Sequence, residues 1–154
     1  MAEAGLRRKT AFGATTLAIA ANLPDIDAFI YFFGDGVDAL AFRRGWTHGI
    51  LAMLVLPLLL ALCMRGVGRL RKADPGSPPS SWRWLIVLSA IGVWSHPLLD
   101  LLNTYGVRLL MPFSNRWFYG DALYIVDPWL YLSLGLGWYL AKSNPRPARG
   151  PRSR

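Results

Sequence analysis

The sequence predicts an all-α, polytopic membrane protein with about four membrane-embedded helices and an interfacial polar loop. The 154-residue chain is 53% hydrophobic and only 17% charged, and its mean hydropathy is +0.29. Those values suit a helical membrane protein better than an average soluble domain. Three apolar stretches are each about 20 residues long, the length that crosses roughly 30 Å of hydrocarbon as a helix.

The first apolar stretch, 11–33, is weaker than the others and is broken near Pro24, because proline lacks an N–H and disfavours helix in the residue before it. The stronger stretches are 46–64, 82–102 and 122–141. The chain start also resembles a signal peptide with a small-residue cleavage site at 18–20. Its hydrophobic run is short and threonine-rich, so we expect it to be retained.

Thirteen of the 17 basic residues fall in three groups, at 7–9, 65–83 and 142–154. With four spans, all three groups lie on one side of the membrane, and the positive-inside rule makes that side cytoplasmic. We therefore predict one helical membrane domain, 1–142, with both termini in the cytoplasm. Within this domain, 65–81 is a basic cytoplasmic linker, and 143–154 is a disordered basic tail. The net charge of +8 then reflects topology, and we expect no nucleic-acid partner.

Polar side chains that membranes normally exclude lie at the ends of the apolar stretches, on the same predicted side. They are Asp25, Asp27, His48, His96 and Asp100. Each charge in hydrocarbon costs roughly 3 kcal/mol on insertion scales, so such residues are expected to be functional. Imidazole and carboxylate groups together predict a divalent metal ion, either Zn, Mn or Fe. With a single cysteine in the chain, zinc–thiolate ligation is not supported.

Each part of this set also has a structural interpretation. His96 and Asp100 are four residues apart, so on a helix they share one face with Cβ atoms about 5–6 Å apart. Asp100 is then either a metal ligand or the group that orients the imidazole. Asp25 and Asp27 follow Pro24, where carboxylates can converge on a cation or cap a helix.

A polar and aromatic segment, 103–121, joins the third and fourth stretches. Arg116 within it, and Arg44 beside His48, can hold an anionic group such as phosphate through the planar guanidinium. An interfacial salt bridge is the alternative role for each arginine. Asn103 is a further candidate for substrate binding. Asp127 is a metal ligand, a general base or the N-cap of the last helix.

Five motifs together resemble the YdjM-like (DUF457) inner-membrane proteins, which are described as membrane-bound metal-dependent hydrolases. The motifs are LPDID at 23–27, RGWTH at 44–48, SHPLLDLLNTYG at 95–106, PFSNRWFYGD at 112–121 and IVDPWLY at 125–131. The resemblance implies a helical membrane fold and a divalent-metal site. The residues that it implies as the metal site are Asp25, Asp27, His48, His96 and Asp100.

The N-terminus departs from the family pattern. Family members typically carry a short helix with a Thr-His motif ahead of a segment like 2–13 of this sequence. Here the sequence starts at Met1, without that histidine. Either the start codon has been assigned too late or this is a shortened form. If the histidine is a metal ligand, we expect this form to bind metal weakly or to be inactive.

The sequence thus predicts a metal-dependent hydrolase at the extracytoplasmic face of the inner membrane, acting on a lipid-linked or phosphoester substrate. Asp127 is its predicted general base, Arg116 its charge-stabilising residue, and Arg44, Asn103 and Arg116 its substrate-binding residues. Its partners are the bilayer and an amphiphilic substrate, and its oligomeric state stays open. The alternative is a non-enzymatic protein, either an ion or proton transporter or a structural metal-binding subunit. A transporter needs polar groups through the midplane, where the second and fourth stretches have none.

Overall fold

A computed structural model describes residues 9–71, 78–124 and 126–143. Within these ranges the regular elements are helices and none is a strand, which confirms the all-α class. The helices are α1 (Gly13–Asn22), a 3₁₀ helix (Leu23–Phe32), α2 (Gly36–Phe42), α3 (Ile50–Leu70), α4 (Trp82–Leu101) and α5 (Pro128–Ser143). The predicted linker falls partly outside the described residues, at 72–77. The predicted tail does so from residue 144 onward.

Two of these helices, α3 with 21 residues and α4 with 20, are long and apolar enough to cross a membrane. The core helix of a soluble protein would be mostly buried, yet only 22% of the apolar window of α3 and 33% of that of α4 are buried within the protein. The remaining apolar surface suits contact with lipid. The described residues therefore contain two candidate spans, where the sequence predicted about four membrane-embedded helices. The first stretch divides into a ten-residue α1 and a 3₁₀ helix, and α5 has only 16 residues.

The two long helices form an antiparallel hairpin. Near one end, the indole Nε1 of Trp94 donates a hydrogen bond to the carbonyl of Met53 (2.6 Å). Near the other end, Gly68 of α3 lies beside Ser80, just before α4. The start of α3 and the end of α4 are therefore at the same end of the hairpin. The buried core joins this hairpin to α1 and is formed by Ala20, Leu60, Ala61, Met64, Leu85 and Val93.

Helix α1 packs along α4 in the same direction. The hydroxyl of Thr10, just before α1, accepts a hydrogen bond from the backbone N–H of Ser81, just before α4 (2.8 Å). Further along, Gly92 allows close approach, because a Cβ at this position would collide with the Cβ of Ala20. This packing brings the end of α1 and the following 3₁₀ helix to the end of the hairpin where α4 finishes.

The polar loop predicted between the third and fourth stretches covers this same end. Val107 and Phe118 pair their backbones in both directions, each N–H···O distance being 2.9 Å. The backbone N–H of Ile50, the first residue of α3, donates to the carbonyl of Leu109 (2.8 Å). The loop therefore fixes the start of α3 against the end of α4.

Candidate metal centre

Four side chains from different elements converge at the covered end of the hairpin. Asp25 comes from the 3₁₀ helix, His48 from the loop before α3, and His96 and Asp100 from α4. The imidazole rings lie 5.3 Å apart between centroids. The Nε2 atom of His48 lies 3.3 Å from Oδ2 of Asp100, and the Nε2 atom of His96 lies 3.4 Å from Oδ2 of Asp25. Asp25, His48 and His96 each offer one ligand atom, and these three atoms lie within 4.8 Å of one another.

A backbone hydrogen bond fixes the orientation of His96. Its Nδ1 atom lies 2.6 Å from the carbonyl oxygen of Ala21, at the end of α1. A carbonyl only accepts, so Nδ1 carries the hydrogen and Nε2 is the nitrogen left to bind a ligand. The Nε2 atom also lies 3.6 Å from Oδ2 of Asp100, one turn along α4. The spacing of four residues has placed the imidazole and the carboxylate on one helix face.

Asp27 lies on the other side of His48, away from Asp25 and Asp100. Its Oδ2 atom is 3.3 Å from Nδ1 of His48 and accepts hydrogen bonds from the hydroxyl of Thr47 (2.9 Å) and the backbone N–H of Arg44 (2.8 Å). Its side chain is fully buried. A carboxylate on the remote nitrogen of a histidine orients the ring and raises its basicity. Asp27 was predicted among the metal-site residues, and in the structure its carboxylate lies in this orienting position beside Nδ1 of His48.

Two adjacent arginines neutralise the carboxylates. Nη2 of Arg43 lies 3.3 Å from Oδ1 of Asp25, and its Nε lies 3.5 Å from Oδ1 of Asp27. Nη2 of Arg44 lies 3.6 Å from Oδ1 of Asp100. Arg44 was predicted from the sequence as a substrate-binding residue, whereas Arg43 was not predicted. The signal was the Arg-Arg pair at 43–44, whose second residue begins the RGWTH motif.

These contacts favour ionised carboxylates. The hydrogen bond from His96, helped by the charges of His48 and Arg43, holds the pKa of Asp25 below its usual value. For Asp27, burial alone would raise the pKa, but hydrogen bonds from His48, Arg44 and other neighbours outweigh it and lower the pKa. Negative charge is therefore available for a cation.

The pKa of His48 moves in the opposite direction. Burial alone would lower this pKa, but the neighbouring carboxylates of Asp100 and Asp27 outweigh burial and raise it. His48 therefore holds a proton more tightly than an ordinary histidine. A metal ion that binds this imidazole must displace that proton.

The donor atoms fit a divalent cation. His48 Nε2 and Asp100 Oδ2 are buried and have no hydrogen-bond partner among the described residues. A buried polar atom without a partner costs about 1–3 kcal/mol, so such atoms call for an explanation. Two imidazole nitrogens and carboxylate oxygens are a ligand set that Zn²⁺, Mn²⁺ and Fe²⁺ accept.

A cavity of about 420 Å³ adjoins the cluster. Its polar wall is formed by Asp25, Arg43, Arg44, Asp100 and Asn103, and its apolar wall includes Leu99, Leu123 and Leu130. The side chain of Asn103 accepts a hydrogen bond from the backbone N–H of Tyr105 (2.9 Å) and is buried. The cavity therefore offers two guanidinium groups beside the candidate ligands.

The two predicted catalytic residues lie outside the lining of this cavity. Oδ1 of Asp127 accepts a hydrogen bond from the backbone N–H of Leu130 (2.9 Å), which is the N-cap geometry for α5. Arg116 is exposed, and its guanidinium lies over the ring of Phe118 at 5.4 Å. The N-cap alternative therefore accounts for the position of Asp127.

Arg108, which was not predicted from the sequence, is 7% exposed. Its Nη2 atom donates hydrogen bonds to the carbonyls of Ala41 and Arg43, the latter at 3.0 Å. Its backbone N–H donates to the carbonyl of Arg44 (2.9 Å). A lone arginine within an apolar run, as in VRLLM, was the available signal. Arg108 holds the backbone that carries both cavity arginines.

A helical membrane hairpin with a histidine–carboxylate cluster at one end defines a membrane protein with a candidate metal centre. The chain belongs to the YdjM inner membrane protein family, which matches residues 1–151. This match confirms the resemblance and supports an inner-membrane location. The chain is 28% identical over 122 residues to the uncharacterized protein YfhP of Bacillus subtilis (strain 168). The alignment covers 77% of this chain and 33% of that protein, so the chain spans about a third of that relative. No solved structure matches the chain.

Proposed function

We propose that this protein is a membrane-embedded, metal-dependent hydrolase that acts on an anionic phosphoester or lipid-linked substrate. The observation that carries the proposal is the convergence of Asp25, His48, His96 and Asp100 beside an arginine-lined cavity. These four residues would hold a divalent cation, and Asp27 would orient His48 from behind. Such a cation lowers the pKa of a coordinated water and polarises the bond to be cleaved.

Arg43 and Arg44 would bind and stabilise negative charge on the substrate. Both line the cavity, and each contacts a carboxylate of the cluster. A guanidinium presents paired donors that match phosphate oxygens, and its charge opposes the charge that develops during hydrolysis. Asn103, on the same wall, would contribute a further polar contact. Arg116 lies outside this wall, so we assign charge stabilisation to the cavity pair.

We propose that Asp127 acts as the general base. The first turn of α5 borders the cavity through Leu130. The backbone N–H of Leu130 donates a hydrogen bond to the Asp127 carboxylate. A general base must come within hydrogen-bond reach of the attacking water, directly or through another water. Asp127 would meet this condition if the first turn of α5 moved towards the cavity when substrate binds.

We place the site at the extracytoplasmic membrane surface, with both termini in the cytoplasm. Arg65, Arg69, Arg71 and Arg83 lie at the opposite end of the α3–α4 hairpin, and basic residues favour the cytoplasm. The 3₁₀ helix and α5 would complete the membrane-embedded domain as shorter elements. A site at the interface suits an amphiphilic substrate.

Metal analysis of the detergent-purified protein tests the site. We expect wild type to retain about one divalent ion per chain, and His96→Ala and Asp100→Ala each to lose it. Asp121→Asn, which removes an exposed carboxylate from the same end of the molecule, is the matched control and should keep the wild-type content. Equal, substoichiometric metal in all four proteins would refute the proposed metal centre.

Turnover is tested separately with the metal-loaded protein. We expect metal-dependent release of phosphate or alcohol from phosphoester substrates, abolished in His96→Ala. Stoichiometric metal with no turnover on any phosphoester or carboxylic ester would favour the structural metal-binding subunit. A transporter has no support in α3, because Ile50–Met64 contains no ionisable residue except Cys63.

A further inference from the structure

A second, apolar groove of about 350 Å³ meets the arginine-lined cavity at one residue, Asp25. The groove runs along the outer side of the junction between α1 and the 3₁₀ helix. Its other lining residues are Ile19, Asn22, Leu23, Ile26 and Phe29. A polar space and an apolar space therefore adjoin across one carboxylate of the candidate metal centre.

The groove is open to the surroundings of the protein. Ile19 is 41% exposed, Ile26 is 52% exposed and Phe29 is 62% exposed. These exposed apolar side chains belong to a chain whose two long helices also expose apolar faces, as expected of a surface in contact with lipid. A hydrocarbon chain in the bilayer can therefore enter the groove sideways without crossing water.

We propose, on the basis of the hydrolase function above, that the groove holds one hydrocarbon chain of an anionic amphiphile whose head group lies in the cavity. Charge complementarity supports this occupant, because Arg43 and Arg44 line the cavity that shares Asp25 with the groove. The head group would lie beside the metal ligands, and the chain would pass Asp25 and extend along Ile26 and Phe29.

In this arrangement the head group contributes the binding affinity, and the groove orients the hydrocarbon chain. A chain that leaves lipid for an apolar groove gains little free energy, since lipid tails are as apolar as the groove. The cavity arginines must therefore capture the head group. The groove then aligns the amphiphile so that its ester bond faces the cluster, which is the usual benefit of positioning.

Photoaffinity labelling of the full chain in lipid vesicles tests the proposal without requiring turnover. The probe is a long-chain alkyl phosphate with a diazirine on the chain. Its control carries the same chain on a trimethylammonium head group, which the arginines repel. We expect the phosphate probe to label Ile26, Phe29 and their neighbours about tenfold more than the cationic probe, since each good charge-assisted contact contributes roughly that factor. Both probes should label lipid-facing Leu54 and Leu58 of α3 equally.

Two variants make the test specific. Ile26→Trp fills the groove and should remove the labelling of Leu23 and Phe29 by the phosphate probe. Phe32→Trp is the matched control, because Phe32 is an exposed residue of the same 3₁₀ helix outside the groove lining, and it should leave the labelling intact. Equal labelling by the two head groups, or no effect of Ile26→Trp, would overturn the inference.

The outcomes also separate this inference from the proposed function. Selective labelling without hydrolysis of any ester would support the groove and refute the hydrolase. Hydrolysis at equal rates for short-chain and long-chain phosphoesters, with head-group-independent labelling, would support the hydrolase and refute the groove. Metal content of the Ile26→Trp variant should equal that of wild type, since the residues that could hold the cation, Asp25, His48 and His96, are unchanged.

Discussion

Asp25 and Asp27 are two residues apart, yet they face opposite nitrogens of His48. Oδ1 of Asp25 is 4.0 Å from Nε2, whereas Oδ2 of Asp27 is 3.3 Å from Nδ1. The 3₁₀ helix explains the difference, because with three residues per turn, side chains two apart point in different directions. One aspartate therefore reaches the candidate metal centre, and the other reaches the loop that carries the histidine.

This division predicts different effects of two neutral substitutions. Asp27→Asn should weaken metal affinity about 10–100-fold while leaving the stoichiometry at saturating metal unchanged, because it removes an orienting group. Asp25→Asn should lower the stoichiometry itself, because it removes a donor. Competition titration against a chelator measures both quantities. The assignment would be wrong if Asp27→Asn lost the metal completely and Asp25→Asn retained it.

The sequence indicated which residues form the site, but it did not indicate the role of each residue. The charge pattern and the apolar surroundings singled out His48 and His96. Which nitrogen each imidazole presents depends on Ala21 and Asp27, and those contacts arise only when α1, α4 and the loop pack together. Arg108 was missed for the same reason, since its backbone partners lie more than 60 residues away.

Close packing of α1 on α4 links the fold to the site. Gly92 lies in the middle of α4, and a side chain at this position would collide with Ala20 of α1. Ala21, the next residue, supplies the carbonyl that orients His96. The separation of the two helices therefore sets the position of the hydrogen bond that leaves Nε2 of His96 available.

Substituting Gly92 should consequently affect both stability and metal binding. Gly92→Ala should lower the free energy of unfolding by about 1–3 kcal/mol, the usual cost of overpacking, and should weaken metal affinity. Gly66→Ala is the matched control in α3, where an added Cβ meets nothing within 4 Å, and it should be neutral or slightly stabilising. Thermal unfolding in detergent measures stability, and chelator competition measures affinity. Equal unfolding temperatures for the two variants would contradict the packing argument.

Pro24 correctly predicted the end of α1, but the hydropathy pattern did not predict the helix type of the next segment or the number of spans. Pro24 was expected to break the first stretch, and α1 does end at Asn22. The segment after the break is as apolar as a span, yet it forms a 3₁₀ helix, which composition alone does not reveal. Hydropathy likewise favoured 122–141, whereas the regular helix begins only at Pro128, after the Asp127 cap.

At the level of the whole molecule, the hairpin determines that the site forms at one membrane face. An antiparallel pair of long helices brings residues before α3 and residues at the end of α4 to the same end, whichever way the hairpin is inserted. The sequence therefore correctly predicted that His48 and His96 lie close together. The direction of insertion depends instead on the flanking charges.

Cysteine accessibility in a Cys63→Ser background tests this direction. Asn115 is exposed in the loop at the site end, and Ser80 is exposed at the basic end of the hairpin. We expect an impermeant maleimide to label Asn115→Cys in spheroplasts, and to label Ser80→Cys only after lysis. The physical reason is that Arg65, Arg69 and Arg83 should stay in the cytoplasm. The reverse pattern would place the candidate metal centre at the cytoplasmic face, where its substrate would be drawn from the inner leaflet.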